Sequence, residues 1–199
     1  MAADTPIERF WKWFVANEAA ISRAYTTNDA DWFCAHLSHQ VDEFGPRLHW
    51  ELGPYNAPDQ TFVLSPVIRE NLPFTRAAVN IAPRLPGWHF LHAKPPKILK
   101  RLLFQAKGCT VDAEGWKYQM QSYNKGEFVD LLLYINQQGF PSGHEDLFAE
   151  LVVEALLGEE LRLERVGLIQ PNLVEDNRNI ERLTPIKYLR EHLLTVLSP

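Results

Sequence analysis

The chain has 199 residues, 46% of them hydrophobic and 23% charged, with a formal net charge of −5. That balance is ordinary for a globular chain and gives no overall field to draw in nucleic acid or an anionic membrane surface. No apolar run approaches the ~18 residues of a membrane span, so neither nucleic acid nor membrane is expected as a partner.

The N-terminus carries no basic stretch followed by an apolar one, so no secretory signal is read there and a cytoplasmic location is expected. Cys34 and Cys109 form neither a CxxC pair nor a metal spacing. Free, buried thiols in a reducing compartment follow. The 6 Trp, 11 Phe and 6 Tyr predict a core rich in rings.

In chain order, Thr5-Pro6-Ile7-Glu8 reads as a capping box with proline at the first helical position. Ile7, Phe10, Trp11, Phe14 and Ile21 then fall on one stripe, widened by Trp13. A second helix is predicted from Asn28-Asp29, with Phe33, Leu37, Val41 and Phe44 as its stripe and Gly45-Pro46 as its stop.

From residue 47 the period changes from near 3.6 to 2. Residues 47–93 read as strand, strand, helix, strand: Leu48–Leu52, Thr61–Ser65, a helix from Phe74 to Ile81, and Trp88–His92. Residues 94–111 read as irregular, with a short strand near Leu102–Ala106. The same order recurs over 115–169: Trp116–Met120, Glu127–Asn136, a helix over 143–157, and a strand over Leu161–Ile169. Ser142-Gly143-His144-Glu145 reads as a second capping box, expected to matter more to stability than the first, and Gly158 as a C-cap. Residues 171–183 read as a polar loop, and Thr184-Pro185 as the start of a last helix over 184–197.

The pattern predicts an α+β fold. One mixed, largely antiparallel sheet is built from two pseudo-symmetric ββαβ halves, with extra N-terminal helices (1–45) and a C-terminal helix. The whole of 1–199 reads as a single domain. Phe128–Ile135 is apolar on both faces and is expected to lie centrally, covered on both sides.

Candidate site residues fall into several sets. His36, His39 and Glu43 share a helix face by spacing and offer metal ligands, although HExxH and comparable patterns are absent and a solvated face reads better. His49 and Glu51 share the polar face of the first strand. With His89 or His92 they suit acid–base work if the strands are neighbours, although a hydrated sheet face reads better. Asp130 interrupts an apolar strand, and pairing with a loop or with Arg23 or Lys117 reads better than catalysis. Trp50, Trp88 and Tyr134 are candidate ligand-binding rings. Lys94, Lys97, Lys100, Arg101 and Lys107 make a local basic run that could bind phosphate, RNA or an acidic partner, with Lys94, Lys97 and Arg101 as the candidates, although a solvated loop reads better. No Gly-x-Ser-x-Gly elbow is present, and no cofactor motif.

Phe10-Trp11-Lys12-Trp13-Phe14-Val15-Ala16-Asn17-Glu18, Trp50-Glu51-Leu52-Gly53-Pro54 and Ala82-Pro83-Arg84-Leu85-Pro86-Gly87-Trp88 resemble segments of a set of uncharacterised bacterial cytoplasmic proteins of about this length. The resemblance continues through Phe104-Gln105-Ala106-Lys107-Gly108 and Glu154-Ala155-Leu156-Leu157-Gly158. It implies a single bacterial cytoplasmic domain and transfers no activity. With catalytic motifs missing, the sequence points to a non-enzymatic module that binds a small molecule or a protein, in a cleft such as pseudo-symmetric halves leave between them. The alternatives are a hydrolase or lyase using His49, Glu51, His92 and Asp130, and an interaction protein with an apolar surface patch.

Overall fold

The structure is a computed structural model that describes residues 3–43, 47–54, 59–136, 140–174, 180 and 182–197. The expected helix stop at Gly45-Pro46, Phe44, and residues 55–58 of the first loop lie outside them. The chain is α+β, with mixed, mostly antiparallel sheets and helices at both ends. It divides into two compact units, residues 1–94 and 95–199, so the cut falls between the two ββαβ patterns. Among the described residues no helix is long and apolar enough to cross a membrane.

In the first unit, α1 (Pro6–Thr27) opens as predicted. Thr5 accepts from the Glu8 N–H, and the Glu8 carboxylate takes the Thr5 N–H. Next come α2 (Ala30–Trp32), a π-helical stretch (Phe33–Ser38) and α3 (His39–Asp42). The strands β1 (His49–Gly53), β2 (Gln60–Ser65) and β3 (Trp88–Leu91) form one sheet in that order, with α4 (Leu72–Asn80) crossing from β2 to β3. β1 runs antiparallel to β2, and β3 parallel to it. Phe10, Trp11, Phe14, Phe62 and Trp88 form a single buried cluster, against which Phe90 packs.

In the second unit, β4 (Leu103–Ala106) and β5 (Cys109–Asp112) make a separate hairpin. Its turn, Lys107-Gly108, holds both residues at positive φ, as a two-residue hairpin turn of the right hand demands. β6 (Lys117–Tyr123), β7 (Phe128–Asn136), α5 (Glu145–Leu157), α6 (Glu159–Arg165) and β8 (Val166–Val174) follow. After β9 (Thr184–Pro185), α7 (Leu189–Leu197) ends the described chain. The sheet order is β8-β7-β6-β9. β6 is antiparallel to β7 and β8 is parallel to it, so β6-β7-β8 repeats the senses of β1-β2-β3.

The expected burial of the thiols is not found, since Cys34 is exposed and Cys109 half-buried, and four expectations about the elements need correction. The single sheet is three sheets among the described residues. Leu161–Arg165 is helical, because Gly158 (φ 82°) ends α5 and α6 starts at once, tied back by Arg162 to Glu150 at 2.7 Å. β8 therefore starts five residues late and takes in 171–174. Thr184-Pro185 is a short strand that pairs with β6, and the last helical run opens directly after it, with Pro185 as N-cap of a 3₁₀ turn over Ile186–Tyr188.

The fourth concerns Ser142. The N-cap is His144, and no side chain caps it. Gly143 at φ 79° turns the chain first, and the Glu145 carboxylate takes the Gly143 N–H at 3.0 Å.

Candidate functional site

β7 alternates. Val129, Leu131, Leu133 and Ile135 are buried in a cluster with Phe148, Val152 and Val153 of α5 and Leu189 and Leu193 of α7. Phe128, Asp130, Leu132 and Tyr134, on the opposite face, are only half-buried. The expected cover on both faces is therefore not found. α5 and α7 both feed the one cluster.

Register extends that half-open face. Gln121 lies opposite Asp130, Gln119 opposite Leu132, and Gln170 beside Leu132. A concavity of ≈ 570 Å³ sits there, lined by Gln119, Gln121, Asp130, Leu132, Leu168 and Gln170, with Tyr118, Arg182, Leu183, Thr184 and His192. Its size falls within the range of small-molecule sites. Sequence explains its floor: polar Gln119 and Gln121 alternate with apolar Tyr118 and Met120, so the amides are turned away from the core.

Tyr118 is 1% exposed. Its hydroxyl is hydrogen-bonded to Nδ1 of His192 at 2.8 Å, the direction following the imidazole tautomer. Burial pushes the phenol up to about 12, so it stays protonated near neutrality and can donate to the imidazole or accept from it. Asp130 accepts the Leu168 N–H at 2.8 Å. Between Val129 and Leu131 the β8 partner advances from Val166 to Ile169, a bulge that leaves one backbone donor outside the ladder. The Asp130 carboxylate satisfies it. A loop partner was expected alongside Arg23 or Lys117, and the backbone is what the structure shows. Gly167 belongs to the same feature. A Cβ there would overlap the Tyr123 hydroxyl and the Asp130 carboxylate.

The other predicted residues are placed as follows. His49 and Glu51 share a face of β1, and register carries that face through Thr61 and Val63 to His89 and Leu91. β2 intervenes, which puts β1 and β3 about 9–10 Å apart, two inter-strand spacings. The condition that these strands be neighbours fails. Glu51 pairs with Lys94 at 3.6 Å and His89 with Asp59 at 3.2 Å. His92 follows the end of β3. Asp130 belongs to the second unit, and His49, Glu51 and His92 to the first.

His36 stacks on Trp32 at 4.7 Å and donates from Nδ1 to the Trp32 carbonyl oxygen. His39 faces Glu43 at 3.8 Å on an exposed surface. The π-helical stretch changes the residue count per turn, so i and i+3 no longer stack as in an α-helix. Among the described residues no group of three or more such side chains could hold a metal.

Trp50 donates to Ser38 and Trp88 to Glu18, both within the first core. Tyr134 donates to Gln119 at 2.6 Å beside the groove. The Lys97 N–H goes to the Ala155 carbonyl, and Arg101 pairs with Asp112 at 2.7 Å. That basic run is thus partly structural.

Sequence reading found Asp130 and missed Tyr118, Gln119, Gln121, Arg182 and His192. The β6 alternation was the available signal for the glutamines. Nothing local marks Arg182 or His192, which reach the groove only through the β9 pairing. In chemical terms the groove offers amides that donate and accept, one guanidinium, one carboxylate and one imidazole. No serine or cysteine is among its described lining residues.

Compared with known proteins, the chain matches no protein family, no curated protein and no solved structure.

Proposed function

We propose that the protein is a non-enzymatic binding module of the cytoplasm whose ligand sits in the groove on β6, β7 and β8. The observation that carries this reading is the ≈ 570 Å³ concavity floored by Gln119, Gln121 and Gln170 around Leu132 and Leu168, with Arg182 at its rim. The lining is more polar than the usual small-molecule site, which favours a polar ligand. Planar amides suit a ligand with several hydrogen-bonding edges, and Arg182 suits a carboxylate or phosphate on it. A thermal-shift screen over metabolites, nucleotides and metals tests this. A ligand held at 100 times its Kd should stabilise by about 2.7 kcal/mol, several degrees for a unit of this size. Gln121→Ala and Arg182→Ala should each abolish most of that shift. No stabilising compound, or one that stabilises the variants equally, sinks the reading.

A second reading, hydrolysis or elimination by His and Asp, is favoured by one observation: the Tyr118–His192 pair and Asp130 border the same groove. It predicts that a compound stabilising the protein is also turned over, and that His192→Ala stops turnover while binding persists.

A further inference from the structure

The groove carries opposite charges at its two sides. Asp130 and Arg182 are the one carboxylate and the one guanidinium among its described lining residues. Gln121 lies directly opposite Asp130 in the register of β6 with β7. Thr184 pairs with Tyr118, and Arg182 precedes it by two residues. Arg182 therefore enters from the β9 side of β6, and Asp130 from the β7 side. β6 lies between β7 and β9 in the sheet order. The two backbones thus stand two inter-strand spacings apart, about 9–10 Å.

These groups do not satisfy each other. Among the described residues neither Asp130 nor Arg182 is in an ion pair. Asp130 spends Oδ1 on the Leu168 N–H and keeps Oδ2. The Gln119 carbonyl oxygen accepts from the Tyr134 hydroxyl at 2.6 Å, which leaves its amide N–H groups as donors. The groove therefore offers a guanidinium on one side, a carboxylate on the other, and glutamine amides that donate and accept. A lone anion would meet Arg182 and be repelled by Asp130, and a lone cation would meet the reverse. A ligand with an ammonium at one end and a carboxylate at the other meets both.

We infer that the ligand is a short free peptide of two or three residues, its N-terminal ammonium on Asp130 and its C-terminal carboxylate on Arg182. This rests on the groove being the binding site. Span separates a peptide from a single amino acid. An extended chain covers at most about 3.3–3.6 Å per residue, so two or three residues reach roughly 7–11 Å. That matches the separation of the two sides. A single amino acid holds both charges on one carbon and falls short of it. The peptide bonds between the ends carry the N–H and C=O that glutamine amides answer. Leu132 and Leu168 give apolar ground for a side chain.

Thermal shift with pooled free dipeptides and tripeptides, then calorimetric titration of the best one, tests this. A free peptide should stabilise the protein. Acetylating its N-terminus should weaken binding at least about tenfold, and so should amidating its C-terminus, since each removes a charge-assisted bond. Asp130→Asn removes the charge and keeps an oxygen for the Leu168 N–H. It should weaken the free peptide about tenfold and leave the acetylated one unchanged. Arg182→Gln should do the same for the free and the amidated forms. Far-UV circular dichroism checks that both variants fold, and the capped peptides read the parent protein in any case. The inference is overturned by a peptide whose capped forms bind as tightly as the free one, by a single amino acid that binds as tightly as any peptide, or by pools in which no peptide stabilises. In that last case a compound of another class that stabilises the parent and not Gln121→Ala keeps the groove as a binding site. With no such compound, the reading of the groove falls too.

Discussion

The Thr5 hydroxyl accepts from the Glu8 N–H at 3.2 Å, and the Glu8 carboxylate accepts from the Thr5 N–H at 2.8 Å. The Thr5 N–H first, and then the Thr5 hydroxyl, which donates to the same carboxylate oxygen at 2.9 Å, hold Glu8 below the usual carboxylate range. At α5 the glutamate half of such a box survives without its hydroxyl half. Backbone donors of Glu145 and Gly143 lower Glu145 in the same direction. Thr5→Ala should therefore cost about 0.5–2 kcal/mol. Ser142→Ala should cost under about 0.5 kcal/mol, as surface changes away from such features do. Denaturant midpoints of the two variants check the order, which reverses what the sequence alone suggests. Because folding lowers both carboxyls, the stability they add is present above the unfolded value of 4.5 and is lost as the pH falls through the lower folded value. Tyr118 runs the other way. Its hydroxyl is raised from 10.0 to about 12 by burial, so the stability tied to its protonated form is whole below pH 10 and is lost as the pH rises through about 12. Tyr118→Phe should flatten that alkaline loss, measurable as unfolding midpoints between pH 9 and pH 12, scanned in roughly half-unit steps. A variant as alkali-sensitive as the parent would place the responsible group elsewhere.

At the bulge in β8 three residues depend on one another. Asp130 takes the Leu168 N–H, and Gly167 leaves room for the Tyr123 hydroxyl and the Asp130 carboxylate. Gly167→Ala should displace both side chains and cost about 1–3 kcal/mol, the usual cost of overpacking. Asp130→Ala should cost about 1 kcal/mol, that of a hydrogen bond at a partly open site. Combined, they should cost less than the sum, since the alanine at 130 removes one of the two clashes. Additive costs would mean that Gly167 and Asp130 act independently. Such local detail marks where sequence reading stops. Alternation in β1 and β6 and apolar runs in β2 and β7 show in the residues themselves, which places those strands to within three residues. The Leu161–Ile169 segment misled because two short elements abut there. Leu161 and Leu163 serve α6, while Val166 and Ile169 serve β8, and the mixed spacing blurs the period. The Lys107-Gly108 hairpin went unread because β5, Cys109–Asp112, is too short to show a period.

The repeated order of elements is real at the level of topology: antiparallel, then parallel through a helix, once in each unit. What the sequence could not show is that each copy closes its own core. The two buried clusters share no residue, one built on Phe10, Trp11, Phe14 and Phe62, the other on Trp116, Leu133, Phe148 and Val152. The groove stayed hidden for a related reason. Its rim comes from residues 182–192, which carry no motif and are brought to β6 by a two-residue strand. Separate cores make a measurable prediction. Trp11, Trp13, Trp32, Trp50 and Trp88 lie in residues 1–94, and Trp116 alone of the 6 lies beyond them. In a Trp116→Phe background, tryptophan emission therefore reports the first unit only, while far-UV circular dichroism reports both. Phe14 is fully buried and touches the rings of Trp11, Phe62 and Trp88. In that background Phe14→Ala should cost about 3–5 kcal/mol and move the emission midpoint in urea. Phe148→Ala opens a comparable cavity in the second cluster. It should move the circular-dichroism transition by a similar amount and leave the emission midpoint within about 0.5 kcal/mol of its parent, the usual tolerance for independent sites. If Phe148→Ala shifts the emission as far as it shifts the dichroism, the two clusters melt as one cooperative body, and independent cores are ruled out.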